Sequence, residues 1–157
     1  MPRSLTFWIV AVLTLVLLGC SGKRGSGAAF GSGSIVSAPS TPDVAALERQ
    51  MHARLNRDRA KQGLPALAFD AKLADIARSH SKDMQELDFF SHDSKRTGSL
   101  EDRLDRAGFL NSTARENIGE GPDVNGTQDA LLESPGHHAN IMARDVTHVG
   151  IGIVRLG

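Results

Sequence analysis

From Val44 onward apolar residues return every three or four positions. Val44, Leu47, Met51 and Leu55 form one run, and Leu73, Ile76, Ala77, Met84 and Leu87 form a second with His80 on the same stripe. That spacing is one face of an α-helix. Thr41–Pro42 supplies an N-cap followed by a proline at the first helical position, and Gly63 stands where a C-terminal glycine ends the helix. Leu64 to Leu67 reads as an extended connector, and Asp70 caps the second helix. Ser99 with Asp102 makes a capping box for a short third helix carrying Leu100, Leu104 and Ala107, closed by Gly108. Glu116 to Gly119 reads as loop or strand. Thr127 opens a brief helix through Leu132, and Ser134–Pro135 starts another that runs to Met142. Between Thr147 and Leu156, Val149, Ile151 and Ile153 alternate with Gly150, Gly152 and Val154, the pattern of a strand. Several helices with little strand predict an α+β or layered α/β/α arrangement.

The front of the chain breaks this pattern. Leu5 to Leu18 is apolar apart from Thr6 and Thr14 and follows Arg3. About 14 apolar residues behind a positive charge suit the hydrophobic stretch of an export signal, whereas a spanning helix needs roughly 20. The run ends in Leu17-Leu18-Gly19-Cys20, which resembles the cleavage box of bacterial lipoproteins. Cys20 would then become the lipid-bearing N-terminus. It is the only cysteine, so an internal disulfide is excluded and acylation gives the thiol a use. Residues 21–42 are dominated by Gly, Ser and Ala and read as a flexible tether. The expected organisation is a signal peptide over 1–19, a lipidated cysteine and tether over 20–42, and one folded domain over 43–157.

Charge narrows the function. The 18 basic and 18 acidic residues balance, so phosphate neutralisation gives no reason to expect a nucleic-acid partner. Every Asp and Glu lies at or beyond Asp43, which sets the boundary between exported leader and folded domain a second time.

Six segments carry a more specific signal: LNRDRAKQGLPALAFDAKLADIARSHSKDM, FFSH, EDRLDRAGF, RENIGEG, SPGHHANIM and HVGIGI, in that order. Together they resemble the CAP superfamily of cysteine-rich secretory proteins, antigen 5 and pathogenesis-related 1 proteins, and within it the bacterial SCP-like branch. The resemblance implies an α-β-α sandwich, a small antiparallel sheet flanked by helices around a central cavity. It also implies two cavity histidines, His92 of FFSH and His137 of SPGH, with an acid at Glu116 of REN, and in some members a divalent metal such as zinc. Neutral imidazoles are good zinc ligands, and a nearby carboxylate can orient one of them. The alternative for these three residues is a set of hydrogen bonds across a polar cleft.

The sequence departs from the family pattern twice. The second acid of the fuller constellation falls at about Ser134, and an aromatic position upstream is Leu131. The family also continues with a further strand, whereas this sequence stops at Gly157, so the expectation is either a C-terminally truncated domain or a sheet that lacks its last strand and exposes an edge. His80 reads as a core histidine, His138 as a surface or rim residue, and Ser134 as a helix cap rather than a nucleophile. The function implied is an envelope-tethered module, held to the membrane by its N-terminal lipid, that binds a lipid, a peptide, another small ligand or an envelope component at His92, Glu116 and His137. The alternative is a hydrolase of peptide or cell-wall material with a His92/His137 metal and Glu116 as base.

Overall fold

The computed structural model describes residues 7–14, 43–110 and 113–155, the first of these through its backbone. In chain order the elements are β1 (Phe7–Thr14), α1 (Val44–Lys61), β2 (Ala68–Phe69), α2 (Ala71–Leu87), α3 (Leu100–Arg106), β3 (Ala114–Gly121), α4 (Val124–Glu133), α5 (Pro135–Ile141) and β4 (His148–Arg155). Cys20, the tether and the Thr41–Pro42 cap lie outside the described residues.

Local chemistry accounts for most boundaries. The Asp70 carboxylate accepts from the Leu73 amide at 2.9 Å and opens α2. Both halves of the Ser99–Asp102 capping box are formed at α3. Gly63 has φ +66° just beyond α1, a conformation that costs glycine little. Helix α4 starts three residues earlier than Thr127, because the Asp123 side chain accepts from the Gly126 amide at 2.8 Å. Ser134 stands at the N-cap of α5, but its side chain makes no capping bond.

The sheet runs β2-β4-β1-β3. Strand β1 is antiparallel to β3 along its whole length and to β4 from Phe7 to Val12, while β2 and β4 pair in parallel through two residues. Two expectations need correction. The sheet is mixed rather than purely antiparallel, and the edge expected to lie open beside β4 is occupied by β1. The apolar run that reads as an export signal therefore also pairs with the backbone groups of two strands, since a continuous run of aromatic, β-branched and aliphatic residues suits a sheet interior as well as a lipid phase.

Strand β4 explains the layering. Val149, Ile151 and Ile153 point to one side and enter a core with Leu47, Met51 and Leu55 of α1, Val124 and Leu131 of α4 and Ile141 of α5. Gly150 and Gly152 point to the other side, where α2 lies directly on the strand. A Cβ at Gly150 would collide with the Leu73 carbonyl carbon, and one at Gly152 with the Arg78 backbone nitrogen. The glycines that weaken a free strand here let a helix backbone touch the sheet. A second, smaller core joins Ala77 and Met84 of α2 to Ile118 of β3. The result is an α-β-α sandwich with α1, α4 and α5 on one side and α2 and α3 on the other.

Candidate functional site

Strand β3 is the outer strand of the sheet, and the chemistry-bearing residues gather along it. Its alternation sends Glu116 and Ile118 toward the α2–α3 layer and Asn117 and Gly119 toward α4 and α5. Glu116 is nearly inaccessible, with 3 % of its side chain exposed. Arg103 of α3, 4 % exposed, donates from Nη1 to Glu116 Oε1 at 2.9 Å and from Nη2 to Oε2 at 3.2 Å. This two-pronged pairing is the strongest geometry available to a carboxylate and a guanidinium. The same guanidinium donates to the backbone oxygens of His92 (2.8 Å) and Ser99 (3.1 Å). It thus ties together α3, β3 and the loop that carries His92.

His92 completes the arrangement. Its Nδ1 lies 2.7 Å from Glu116 Oε2. An ionised carboxylate only accepts, so Nδ1 carries the proton and, in the neutral ring, Nε2 is the free lone pair. Half of the His92 side chain is exposed, at 51 %. The order Arg103–Glu116–His92 therefore runs from buried cation to exposed imidazole.

His80 supports this loop from below. It is fully buried, and its Nε2 donates to the carbonyl of Ser91 at 2.9 Å, beside His92. Its Nδ1 has no partner among the described residues. Burial, and next the positive charge of Arg103, hold its pKa below the ordinary histidine value. The core reading of His80 is right, with one nitrogen left unsatisfied.

His137, on α5, comes to β3 from the opposite layer. It lines a cavity of about 340 Å³ with Phe90, Ile118, Ala130, Leu131 and Ser134. Burial lowers its pKa, and the charge of His92 lowers it further. The two imidazoles line neighbouring recesses: His92 and Glu116 face a separate pocket with Ser99, Leu100 and Arg115. The α5 backbone is fixed to the strand by Asn117, which donates to the His137 carbonyl at 3.1 Å, and by Asn140, which donates to Asn117 Oδ1 at 2.9 Å. His138 is exposed, and His148 is the first residue of β4, with Nδ1 2.8 Å from Thr147 Oγ1.

The donor set limits what an ion could find here. Among the described residues no three His, Cys, Asp or Glu side chains converge as a metal cluster. Both Glu116 oxygens are engaged, and Arg103 is a fixed positive charge beside them. What remains is two imidazole nitrogens, fewer than the three protein ligands usual for catalytic zinc. The residues present therefore do not form a complete metal site of their own.

Arg103, Asn117 and Asn140 were not singled out from the sequence. Arg103 sits in a helix rich in alternating charges, where an exposed side chain is the ordinary reading. Only the position of Glu116, contributed by a distant strand, makes its burial favourable.

An α-β-α sandwich with an acid on an outer strand bonded to a loop histidine defines the class of domain. The family model described as the Cysteine-rich secretory protein family (CAP) matches residues 52–157. The chain belongs to this family. It is 38 % identical over 122 residues to the uncharacterized protein YkwD of Bacillus subtilis (strain 168), covering 77 % of this chain and 47 % of that protein. It is 38 % identical over 112 residues to the uncharacterized membrane protein YlbC of the same organism, covering 69 % and 32 %. The chain thus spans half or less of the length of these two relatives. Among solved structures, an extracellular protein containing a SCP domain from Bacillus anthracis str. Ames superposes with a TM-score of 0.67 at 37 % identity, covering 75 % of this chain and 42 % of that one. An outer surface protein from Borrelia burgdorferi shares the fold alone, with a TM-score of 0.64 at 20 % identity, covering 69 % and 81 %.

Proposed function

We propose that this chain is a ligand-binding CAP module displayed on the bacterial cell envelope, and that the cavity at His137 is its binding pocket. The observation that carries the reading is the commitment of Glu116. A general base needs a lone pair accessible to the substrate's proton, and Glu116 is buried with three of its roughly four lone-pair sites accepting from Arg103 and His92. The cavity itself has apolar walls at Phe90, Ile118 and Leu131, a histidine whose charged form is disfavoured, and the exposed Glu120 on its lining, which disfavours an anion. Such a recess suits an uncharged, largely apolar ligand such as an acylglycerol.

Titrating the full chain with a fluorescent monoacylglycerol tests this. Saturable binding that Ala130→Trp abolishes by filling the cavity, with no product formed, is the expected result. Ala130 is exposed on α4, so the change need not disturb the core. Absence of saturable binding, or binding indifferent to Ala130→Trp, would overturn the pocket assignment.

One observation favours a second reading, a metal-assisted hydrolase of peptide or cell-wall material. The Glu116-oriented His92 leaves Nε2 without a partner on Glu116, and His137 lines the neighbouring recess. The two could form a bis-imidazole zinc site whose remaining ligands come from water or substrate. Zinc titration by calorimetry, with His92→Ala alongside, separates the readings. Tight 1:1 binding lost in the variant, together with zinc-dependent release of muropeptide fragments, would establish the hydrolase.

Export and anchoring rest on the Leu17–Cys20 box and on relatives named as extracellular, outer surface or membrane proteins. Two or more acyl chains at about 0.8 kcal/mol per buried methylene hold a protein stably, where one is marginal. Cleavage before Cys20 would remove β1 from the sheet, so the signal role and the strand role belong to successive states of the polypeptide. Cys20→Ser is expected to abolish radioactive fatty-acid incorporation and membrane retention. Equal label in both proteins would contradict lipidation.

A further inference from the structure

We infer a second binding site, for a small amphipathic anion, in the groove between α2 and α3. This groove has a volume of about 430 Å³ and lies outside the His137 cavity. Its apolar floor is Ile76 of α2 and Ala107 at the end of α3, with the Ser79 hydroxyl on the wall. Its rim carries two exposed cations, Lys72 and Arg106. Neither forms an ion pair among the described residues. The Lys72 ammonium rests 5.3 Å from the centroid of the Phe109 ring, and Arg106 donates to the backbone oxygen of Thr97. The one carboxylate lining the groove, Asp75, pairs with Arg78, a cation it shares with the buried Glu48. Asp102 feels Arg106 only as a secondary influence, and its carboxylate is bonded chiefly to Ser99.

The fourth charge on the lining is Arg103, whose guanidinium is already neutralised by Glu116. With Arg103 compensated by Glu116, and Asp75 sharing the single charge of Arg78 with Glu48, the groove sets two cations, Lys72 and Arg106, against one partly compensated carboxylate and is net positive over an apolar floor. An anionic head on a short alkyl chain complements both features at once. The charges supply orientation and the floor supplies the hydrophobic contribution. The His137 cavity has the opposite preference, since its lining carries no such cations.

Arg103 gives the site a readable consequence. It walls the groove on one side and holds Glu116 and the His92 carbonyl on the other. An occupant touching Arg103 therefore alters the surroundings of His92 without entering its pocket.

The test is an NMR titration of the full chain with octanoate, with octanol and inorganic phosphate as separate arms. Octanoate should shift the amides of α2 and α3 around Ile76 and Ala107 and, more weakly, the His92 ring. Octanol and phosphate should each bind at least tenfold more weakly, because each lacks one half of the match. Lys72→Gln combined with Arg106→Gln should weaken octanoate at least tenfold while leaving the spectrum otherwise folded. Shifts centred on Leu131 and His137, equal affinity for octanol, or indifference to the double variant would each overturn the proposal. Those outcomes are independent of the monoacylglycerol experiment, which reads the other side of the sheet.

Discussion

Arg59 and Arg103 are both buried, yet the corners they hold together present very different surfaces. Arg59, on α1, donates to backbone carbonyls alone: Pro65 at 3.0 Å, Ile141 at 2.7 Å and Ala143 at 2.8 Å. It pins the α1–β2 connector to the end of α5. Burial without a carboxylate partner lowers its pKa, and nothing titratable continues from it toward solvent. Arg103 also binds two carbonyls, but its main partner is the Glu116 carboxylate, and the chain of contacts ends at a half-exposed imidazole. Burial of a charged residue is thus not in itself a sign of function. What separates a staple from a site is whether the buried charge is transmitted to an exposed, titratable group.

The largest effect should come from Arg103→Met. It leaves Glu116 as a buried carboxylate with no cation, a situation that costs about 3–5 kcal/mol in comparable buried pairs. Urea unfolding reads this directly. Glu116→Gln in the same chain should recover most of the loss, because the unpaired charge is then gone. A double variant no more stable than Arg103→Met would show that Arg103 acts through its carbonyl contacts, as Arg59 does.

Arg59→Met should cost less, about 1–3 kcal/mol, the range for stranding a buried polar group. Of its three acceptors, Ile141 belongs to a fully buried residue, whereas Pro65 is exposed and can turn to water. No single acidic substitution should rescue it. A loss larger than that of Arg103→Met would reverse the comparison.

The pH dependence sharpens the same contrast. His80 and His137 have folded pKa values below the ordinary value, burial being the main cause in both. The unfolded chain takes up those protons near pH 6.5 and the folded one resists them. Stability is therefore full above about pH 6.5 and falls as pH drops toward the folded values. Asp83 behaves in the carboxylate range. Burial opposes its charge, but hydrogen bonds from Ser94 and Thr97 and the charge of Arg96 outweigh this and lower its pKa. Its contribution is kept above about pH 3.9 and lost below. Thermal melts between pH 7.5 and 5 should show the histidine step, and His80→Asn should remove part of it. A stability profile flat across that interval would count against the buried, half-satisfied state of His80.

These features differ in how far the sequence discloses them. Asp70, Ser99–Asp102 and Gly63 act within one or two turns, so their roles are visible as local patterns and the structure keeps them. The alternation in β4 shows which residues face one way, though only the contact with α2 explains why Gly150 and Gly152 face the other. His92, Glu116 and His137 are legible because three distant motifs follow a known family order, though the structure bonds only His92 to Glu116 and sets His137 in a neighbouring recess. Arg103 stays hidden, since an arginine in a charged helix reads as solvated until a strand brings a carboxylate above it. The strand role of Phe7–Thr14 is hidden for another reason: an apolar run before a cysteine satisfies two environments, and periodicity alone cannot choose between them.

The smallest effect should be that of His92→Ala on stability, within about 0.5 kcal/mol, as for an exposed position whose partner remains paired elsewhere. Its ring reports the account best. Nitrogen-15 NMR of the histidine side chains in the full chain at pH 7.5 distinguishes the two neutral tautomers. If Arg103 holds Glu116 and Glu116 orients His92, neutral His92 carries its proton on Nδ1 and presents an unprotonated Nε2 to the cleft. A His92 protonated at Nε2, or one exchanging evenly between tautomers, would contradict the Arg103–Glu116–His92 arrangement on which the site is built.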